Sequence, residues 1–531
     1  MYYTIKSPKK SIHIRKKITV LQYLCEKIIL TFCFLTVIIK LDNVTKGTDL
    51  VMSSIKIDLN EKHEISPYLY MQFMEPLGCA DTSVDAAWDF IENDWYPQVI
   101  NAVKRLSPTM VRFGGCFASY YHWEEAVGPQ EKRIPMLNHC WGGKYFNQVG
   151  THEFLDFCKR VSAEPLIVVN MESEGMKAWQ YPKNDTVRLG TDEEAARWVD
   201  YCNNPDNAFR KANGQNEPFG IRYWQVGNET SYRLMGNDCF TSDQNTEACA
   251  RFAAKMKKAD PSIKIIGWGD FGRDGDDSWC RKLSQLEDVD LIAFHHHISA
   301  KAGSPIYSLN YRKDMAAAWE ALMEAPKECD EHIKRMRAEC GSKRLAMTEG
   351  HYAIPGRNRN ELLSTWAAGV SYAVWHNILM RHSDVLDIAT MADFLGNVWQ
   401  CNAIIVPAPM RKTSRCYLQP VAEVMRLFGA HQGKRAVSVD FGGNADVVAS
   451  KTDKTIYLHL VNKSMTDAES ITLDIGNAEV ESAKMYFISA EPDTEITPTN
   501  IDCFAETVTD INIEKINLPK AAVAAVEIKI K

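Results

Sequence analysis

Short apolar runs alternate with amphipathic stretches along the chain from about residue 65 to about residue 412. The apolar runs have the length of buried strands, and several intervening stretches repeat their apolar residues at helical spacing. This alternation predicts a parallel sheet whose strands are joined by crossover helices. The predicted strands are, in order, ISPYLYMQFME, TMVRFGG, PLIVVNM, IRYWQVGNE, IKIIGWGD, DLIAFHHH, RLAMTE and DVLDIATMAD.

Eight such strands in roughly 350 residues predict a (β/α)8 barrel of the TIM type with some long loops. The amphipathic stretches include YPQVINAVKRL, THEFLDFCKRVSA, EEAARWVDYC and NTEACARFAAKMKKA. A doubly wound open sheet is the alternative fold. That alternative lacks its usual cofactor rationale, because no G-x-G-x-x-G motif follows any of the strands.

After about Cys416 the pattern changes to alternation with period two, interrupted by turn sequences such as Gly442-Gly443-Asn444. The pattern predicts a C-terminal antiparallel β-sandwich over residues 413–531, without a helix. The barrel domain is assigned to residues 52–412. Its first strand-like stretch, at residues 52–64, is expected to join the β-sandwich because it precedes the first barrel strand.

Residues 1–51 are treated separately from the fold. A basic stretch is followed by an apolar run, Ile28–Ile39, that is too short for a comfortable membrane span. The segment is interpreted as a signal, an anchor or an over-extended start. The 15 cysteines are odd in number and include no C-x-x-C pair, which favours a reducing, cytoplasmic compartment. Export or anchoring through residues 1–51 is the alternative.

The composition is that of a globular protein, with 45% hydrophobic and 24% charged residues. A net charge of −7 gives no basic face for nucleic acid, so nucleic acid is not an expected partner. The 13 Trp and 20 Tyr residues suit stacking against sugar rings, although aromatic residues also fill ordinary cores.

Polar residues follow the predicted strands at their C-terminal ends, the end at which the active site of a (β/α)8 barrel lies. Glu229 follows the fourth strand and Glu349 the seventh, so the two carboxylates are expected to face each other across the barrel mouth. A retaining glycosidase needs two carboxyl groups about 5–5.5 Å apart. The structural alternatives are a Gly-Asn turn with Glu229 opening a helix, and a capping or salt-bridged Glu349.

At this point the chain resembles the retaining glycoside hydrolases of family 51, which are mostly α-L-arabinofuranosidases. The resemblance extends over nearly all of the chain from about residue 65. It implies an exo-acting enzyme that needs no cofactor, cleaves arabinose-containing oligosaccharides or hemicellulose and pectin side chains, and is often a homo-oligomer. The motifs that carry it are YMQFMEPLG, VRFGGCFASYYHWEEAVGPQEKR, GTHEFLDFCKRVSAEPLIVVN, YWQVGNET and DPSIKIIGWG.

The resemblance also implies roles for individual residues. Glu229 in YWQVGNET becomes the acid/base and Glu349 in AMTEGHY the nucleophile. The implied substrate-binding residues are Glu75, Asn228, Cys116, His295, His297 and Arg112.

Four positions depart from the family pattern, which leaves the sugar open. Phe113 stands directly before the Gly pair where proline is expected, Cys116 stands where Asn is frequent, Gly350 replaces an aromatic residue, and His297 replaces a Tyr. The alternatives are a β-xylosidase or endoglucanase-like activity on the same carboxylates, and a non-catalytic sugar-binding relative.

Two further motifs invite ligand hypotheses. His295 and His297 share one face of a strand, but no third ligand is placed beside them, so no metal is expected and hydrogen bonding is preferred. The acidic loop Gly269–Trp279 breaks the calcium-loop pattern at Gly275 and is expected to be solvated. The stretch RIPMLNHCWGGKYFN is interpreted either as a sugar subsite or as loop packing.

Overall fold

The computed structural model describes residues 51–77, 82–173, 188–232, 240–270, 278–354, 361–397 and 402–531. Eight parallel strands form one sheet in which every strand lies beside its neighbours in the chain. A parallel bridge from Tyr68 to Ile388 joins the first and last strands and nearly closes the barrel. The predicted (β/α)8 barrel is confirmed. Its strands are Met71–Met74, Met110–Phe113, Glu164–Val169, Tyr223–Val226, Lys264–Trp268, Leu291–Ser299, Arg344–Ala353 and Leu386–Ala389.

The amphipathic stretches form helices that cover the barrel. In the helix Ser242–Ala259, Thr241 and Gln244 form a reciprocal capping box, and two lysines lie in the last turn. Such caps satisfy backbone groups that a helix leaves unpaired at its ends. The other long helices before residue 412 are Pro97–Leu106, Thr151–Val161, Asp192–Asn203, Met315–Glu324, Lys327–Glu339 and Trp366–Arg381, and the short ones are Val84–Ala87, Ala208–Ala212 and Trp279–Ser284.

A further helix, Pro420–Ala430, contradicts the expectation that no helix follows Cys416. It begins with a proline at its first turn, a favoured position because proline has no N–H to leave unpaired there. Eight of its residues are buried, including the charged Glu423, so few exposed polar residues mark an outer face. The helix packs against Trp366–Arg381 and Pro97–Leu106, so it belongs to the covering of the barrel.

The C-terminal region forms a nine-stranded sheet. The early strand Val51–Glu64 pairs antiparallel with Arg435–Phe441, so the chain starts this sheet before it enters the barrel. Residues from eight of the strands share one apolar core, which shows that the sheet curls around it. The remaining strands are Asp446–Lys451, Thr455–Val461, Glu469–Asp474, Val480–Ile488, Thr507–Asp510, Ile516–Leu518 and Val523–Ile530.

The described residues also form three small sheets. Two are hairpins, Trp88–Asp89 with Asp94–Trp95 and Met136–Leu137 with Lys144–Tyr145. The third contains Asp393–Gly396, Asn402–Ile405 and Tyr417–Leu418.

Within the part of the chain that the structure describes, none of the helices combines the length and apolar character needed to cross a membrane. The predicted segment 1–51, up to residue 50, and the centre of the acidic loop, residues 271–277, lie outside the described residues.

Candidate active site

The carboxylates of Glu229 and Glu349 both lie close to the side chain of His295. Nδ1 of His295 lies 2.9 Å from Oε1 of Glu229 and 3.6 Å from Oε2 of Glu349. These two carboxylate oxygens are therefore at most about 6.5 Å apart, a limit that allows the roughly 5–5.5 Å spacing of retaining glycosidases and only the shortest spacing of inverting ones. Both glutamates are buried, with residue exposures of 8% and 9%.

Glu229 has the electrostatic environment of a proton donor. Burial raises its pKa to about 7, and the positive charge of Arg112 opposes part of that rise. A carboxyl group with such a pKa holds its proton for much of the time near neutral pH. The backbone of Glu229 has a φ of 49°, a conformation rare for residues other than glycine. Strained backbone of this kind is concentrated at functional sites.

The guanidinium of Arg112 forms an ion pair with Glu349. Its guanidinium donates to Oε1 of Glu349 at 2.9 Å, to Oδ1 of Asn228 at 2.6 Å and to the Gln225 side chain at 3.0 Å. The side chain of Arg112 is fully buried, so it offers no exposed surface to a sugar. The hydrogen bonds of Arg112 suit a positioning role, and its predicted contact with the substrate stays a prediction. The guanidinium is always charged and supplies the positive partner of Glu349.

Asn228 is oriented by the same arginine. Because its Oδ1 accepts from Arg112, its Nδ2 amide group points elsewhere and has no hydrogen-bond partner among the described residues. A buried donor without a partner costs free energy unless a ligand satisfies it. This geometry suits the predicted contact with a sugar hydroxyl.

Glu75 follows the first barrel strand and is buried. Its carboxylate accepts from the backbone N–H of Phe117 at 3.2 Å. Burial, with a smaller contribution from nearby Glu349, raises the pKa of Glu75 well above its usual value. Gly115 has a φ of 140°, and a Cβ atom there would lie 2.4 Å from Oε2 of Glu75. Gly115 therefore leaves the space that the Glu75 carboxylate occupies.

Cys116 lies beside a second thiol that the sequence did not connect to it. A hydrogen bond with the Cys140 thiol and burial raise the pKa of Cys116 well above its usual value, and Glu75 and Glu229 add to this rise. Cys140 belongs to the stretch RIPMLNHCWGGKYFN, so this hairpin reaches the site. In the same hairpin, Asn138 donates to the Pro76 carbonyl oxygen at 3.0 Å.

The three consecutive histidines lie in different surroundings. His295 and His297 have neighbouring rings with centroids 6.1 Å apart, whereas His296 faces His332, with 3.1 Å between their Nδ1 atoms. Burial lowers the pKa of His295 to about 3, so this imidazole is neutral. Ligand atoms of His295, His297 and Glu349 lie within 4.8 Å of one another. The structure thus supplies the third donor that the sequence could not place.

Several functional neighbours were not predicted as site residues. Thr348 lies 3.0 Å from Nε2 of His295, and its position beside Glu349 was the only signal in the sequence. The negative charge of Asp270 contributes to the raised pKa of Glu229. Its position at the C-terminal end of the fifth predicted strand was the signal in the sequence, because site residues of such barrels lie at these strand ends. His351 stacks near His297 with 4.4 Å between ring centroids.

A (β/α)8 barrel with two buried carboxylates close to one histidine is an arrangement that glycoside hydrolysis can use. Comparison with known proteins agrees with the glycoside hydrolase class. The α-L-arabinofuranosidase 1 domain matches residues 102–314, and the α-L-arabinofuranosidase C-terminal domain matches residues 350–521.

The relatives cover most of the chain. A Bacteroides ovatus protein named intracellular exo-α-L-arabinofuranosidase is 24% identical, over 90% of this chain and 96% of its own. A probable α-L-arabinofuranosidase C from Aspergillus flavus is 32% identical, over 66% of this chain and 70% of its own. The GH51 arabinofuranosidase structure from Xanthomonas axonopodis pv. citri has a TM-score of 0.74 at 21% identity, covering 90% of this chain and 100% of the other. The chain belongs to the α-L-arabinofuranosidase family.

Proposed function

We propose that this glycoside hydrolase removes α-L-arabinofuranosyl groups from the ends of arabinose-containing oligosaccharides or polysaccharides with retention of configuration. Glu349 attacks the anomeric carbon, and Glu229 donates its proton to the departing oxygen. Glu229 then removes a proton from water, which hydrolyses the glycosyl-enzyme intermediate. The observation that carries this proposal is the contact of both carboxylates with Nδ1 of His295.

The surroundings of each glutamate support its role. The proton of Glu229 is held near neutral pH because burial raises its pKa to about 7. Glu349 instead pairs with the charged guanidinium of Arg112 at 2.9 Å, as a nucleophile requires. Asn228 and Glu75 are proposed to bind sugar hydroxyls, and Cys116 and His297 to line the same pocket. The mechanism uses no cofactor.

Chemical rescue tests the two roles separately. Glu349→Ala is expected to abolish turnover of an aryl α-L-arabinofuranoside, and added azide is expected to restore activity through an azido sugar of inverted configuration. Glu229→Ala is expected to keep its activity best on substrates with good leaving groups, because these need little protonation in the first step. Wild-type rates in both variants would refute the assignment.

The sugar is tested with a panel of chromogenic aryl glycosides. Turnover of the α-L-arabinofuranoside is expected. Turnover of a β-xyloside or a cello-oligoside alone would favour another activity on the same carboxylates, and no turnover across the panel would favour a non-catalytic sugar-binding protein. The panel matters because His297 and Cys116 depart from the family pattern at the pocket.

We propose a cytoplasmic location, supported by the 15 cysteines and by the name of the Bacteroides ovatus relative. Cell fractionation tests it, and recovery of the protein outside the cytoplasm would contradict it. A homo-oligomer stays a prediction that light scattering on the purified protein can test.

A further inference from the structure

The three donor side chains His295, His297 and Glu349 come from two adjacent strands of the barrel. In the parallel pairing of these strands, His295 stands opposite Glu349. His295 and His297 are two residues apart on one strand and therefore project to the same face. One ligand atom from each of the three residues lies within 4.8 Å of the others. Two imidazoles and a carboxylate form a donor set typical of zinc and related transition metals.

The two histidines of this site each have a feature that suits a metal ligand. Nε2 of His297 is buried and has no hydrogen-bond partner among the described residues. Nε2 of His295 lies 3.0 Å from Oγ1 of Thr348, so an N–H there can donate to that hydroxyl oxygen. In this tautomer Nδ1 of His295 carries a lone pair, and this atom lies 3.6 Å from Oε2 of Glu349 and 2.9 Å from Oε1 of Glu229. Metal-bound histidines are usually oriented by such a second hydrogen bond.

We propose that Zn²⁺, or a similar transition-metal dication, binds His295, His297 and Glu349 and blocks the sugar pocket. Zinc bonds of about 2.0–2.2 Å require the three donors to approach one another by roughly 1 Å, which side-chain rotation can supply. The bound metal then coordinates the Glu349 carboxylate, which is no longer free to attack the sugar. Binding of the metal stands on the geometry alone, whereas inhibition also rests on the proposed role of Glu349.

Isothermal titration calorimetry on the full chain without a histidine tag tests metal binding independently of activity. Wild-type protein is expected to bind one Zn²⁺, with Mg²⁺ giving no signal because it prefers oxygen ligands. His297→Phe removes one donor and is expected to weaken Zn²⁺ binding by at least about 10- to 100-fold. His296→Phe is the matched control, because His296 faces His332 and lies outside the donor set.

Absence of zinc binding by wild-type protein, or equal affinities in wild type and His297→Phe, would overturn the proposal. If either variant fails to fold by circular dichroism, a crystal of wild-type protein soaked in Zn²⁺ gives the answer. An anomalous peak about 2.0–2.2 Å from the three donors is expected, and a peak only elsewhere would refute the site.

Inhibition is tested by varying substrate and Zn²⁺ together. Competitive inhibition that a chelator reverses is expected, since the metal and the sugar need the same carboxylate. Zinc binding without inhibition would leave the metal site intact and would contradict the role of Glu349 in catalysis. The two proposals thus fail in distinguishable ways.

Discussion

Nδ1 of His295 lies 2.9 Å from Oε1 of Glu229, in a buried contact between a neutral imidazole and a carboxyl group. With a proton on Glu229, the carboxyl O–H donates to Nδ1. With Glu229 ionised, the Nδ1–H tautomer donates to the carboxylate. This pairing suits the acid/base role proposed for Glu229, in which the residue first gives up a proton and then takes one back.

The pKa of Glu229, raised to about 7, predicts the alkaline limb of the activity profile. The acid form is required for the first step, so kcat/KM is expected to fall as the pH rises through about 7. Glu229→Gln should remove this limb on an aryl substrate with a good leaving group, because no titrating acid remains. Rates measured from about pH 5 to pH 9 check the prediction, and an alkaline limb that persists in Glu229→Gln would contradict it.

Arg112→Lys tests the support of Glu349 and Asn228. A lysine ammonium cannot reproduce three hydrogen bonds in the fixed geometry of a guanidinium. We expect kcat to fall by about 10- to 100-fold and Tm to fall too, since buried acceptors left without donors cost about 1–3 kcal/mol each. A variant with wild-type kcat would show that this hydrogen-bond network does not position the carboxylate.

Gly115→Ala tests whether Gly115 leaves room for the Glu75 carboxylate. The added Cβ would lie 2.4 Å from Oε2 of Glu75, so we expect weaker binding of arabinose together with lower stability. Gly214→Ala is the matched control, because its φ of 88° is also positive but its Cβ would meet nothing within 4 Å. Equal arabinose affinity in wild type and Gly115→Ala, measured by calorimetry, would contradict the account.

His376 is expected to make the fold sensitive to acid. It lies fully buried in the helix Trp366–Arg381, and neither ring nitrogen has a hydrogen-bond partner among the described residues. Burial lowers its pKa well below 6.5, so the unfolded chain binds a proton that the folded chain does not. Stability is therefore complete above about pH 6.5 and is lost as the pH falls toward the folded pKa, by up to about 1.4 kcal/mol per pH unit.

His376→Phe removes that titration while keeping an aromatic ring. We expect the drop in Tm between about pH 7.5 and pH 5.5 to be smaller in the variant than in wild type. Measurements at pH 8 provide the reference, because neither protein binds a proton at this position there. The same drop in both proteins would show that His376 does not govern acid stability.

Much of the barrel could be predicted because its strands are short apolar runs with a polar residue at the C-terminal end. That pattern singled out Glu229 and Glu349, and the family resemblance supplied the roles predicted for them. The helix Pro420–Ala430 was missed because eight of its residues are buried, including Glu423, and few exposed polar residues mark an outer face. A buried helix of this kind cannot be distinguished by periodicity from other apolar segments.

The contacts within the site depend on packing that the sequence does not display. Arg112 is predicted at a strand end, but only the fold shows that its side chain is buried and pairs with Glu349. Cys116 and Cys140 are separated by a long loop, and their contact depends on the path of the hairpin. The three donors of the proposed metal site likewise come together only through the strand register that places His295 opposite Glu349.

Trapping the covalent intermediate tests the central claim most directly. A mechanism-based inactivator that carries an arabinofuranosyl group should label the protein once, and mass spectrometry of its peptides should place that label on the side chain of Glu349. Glu349→Gln should remain unlabelled. A stable adduct on any other residue would contradict the assignment of Glu349 as the nucleophile.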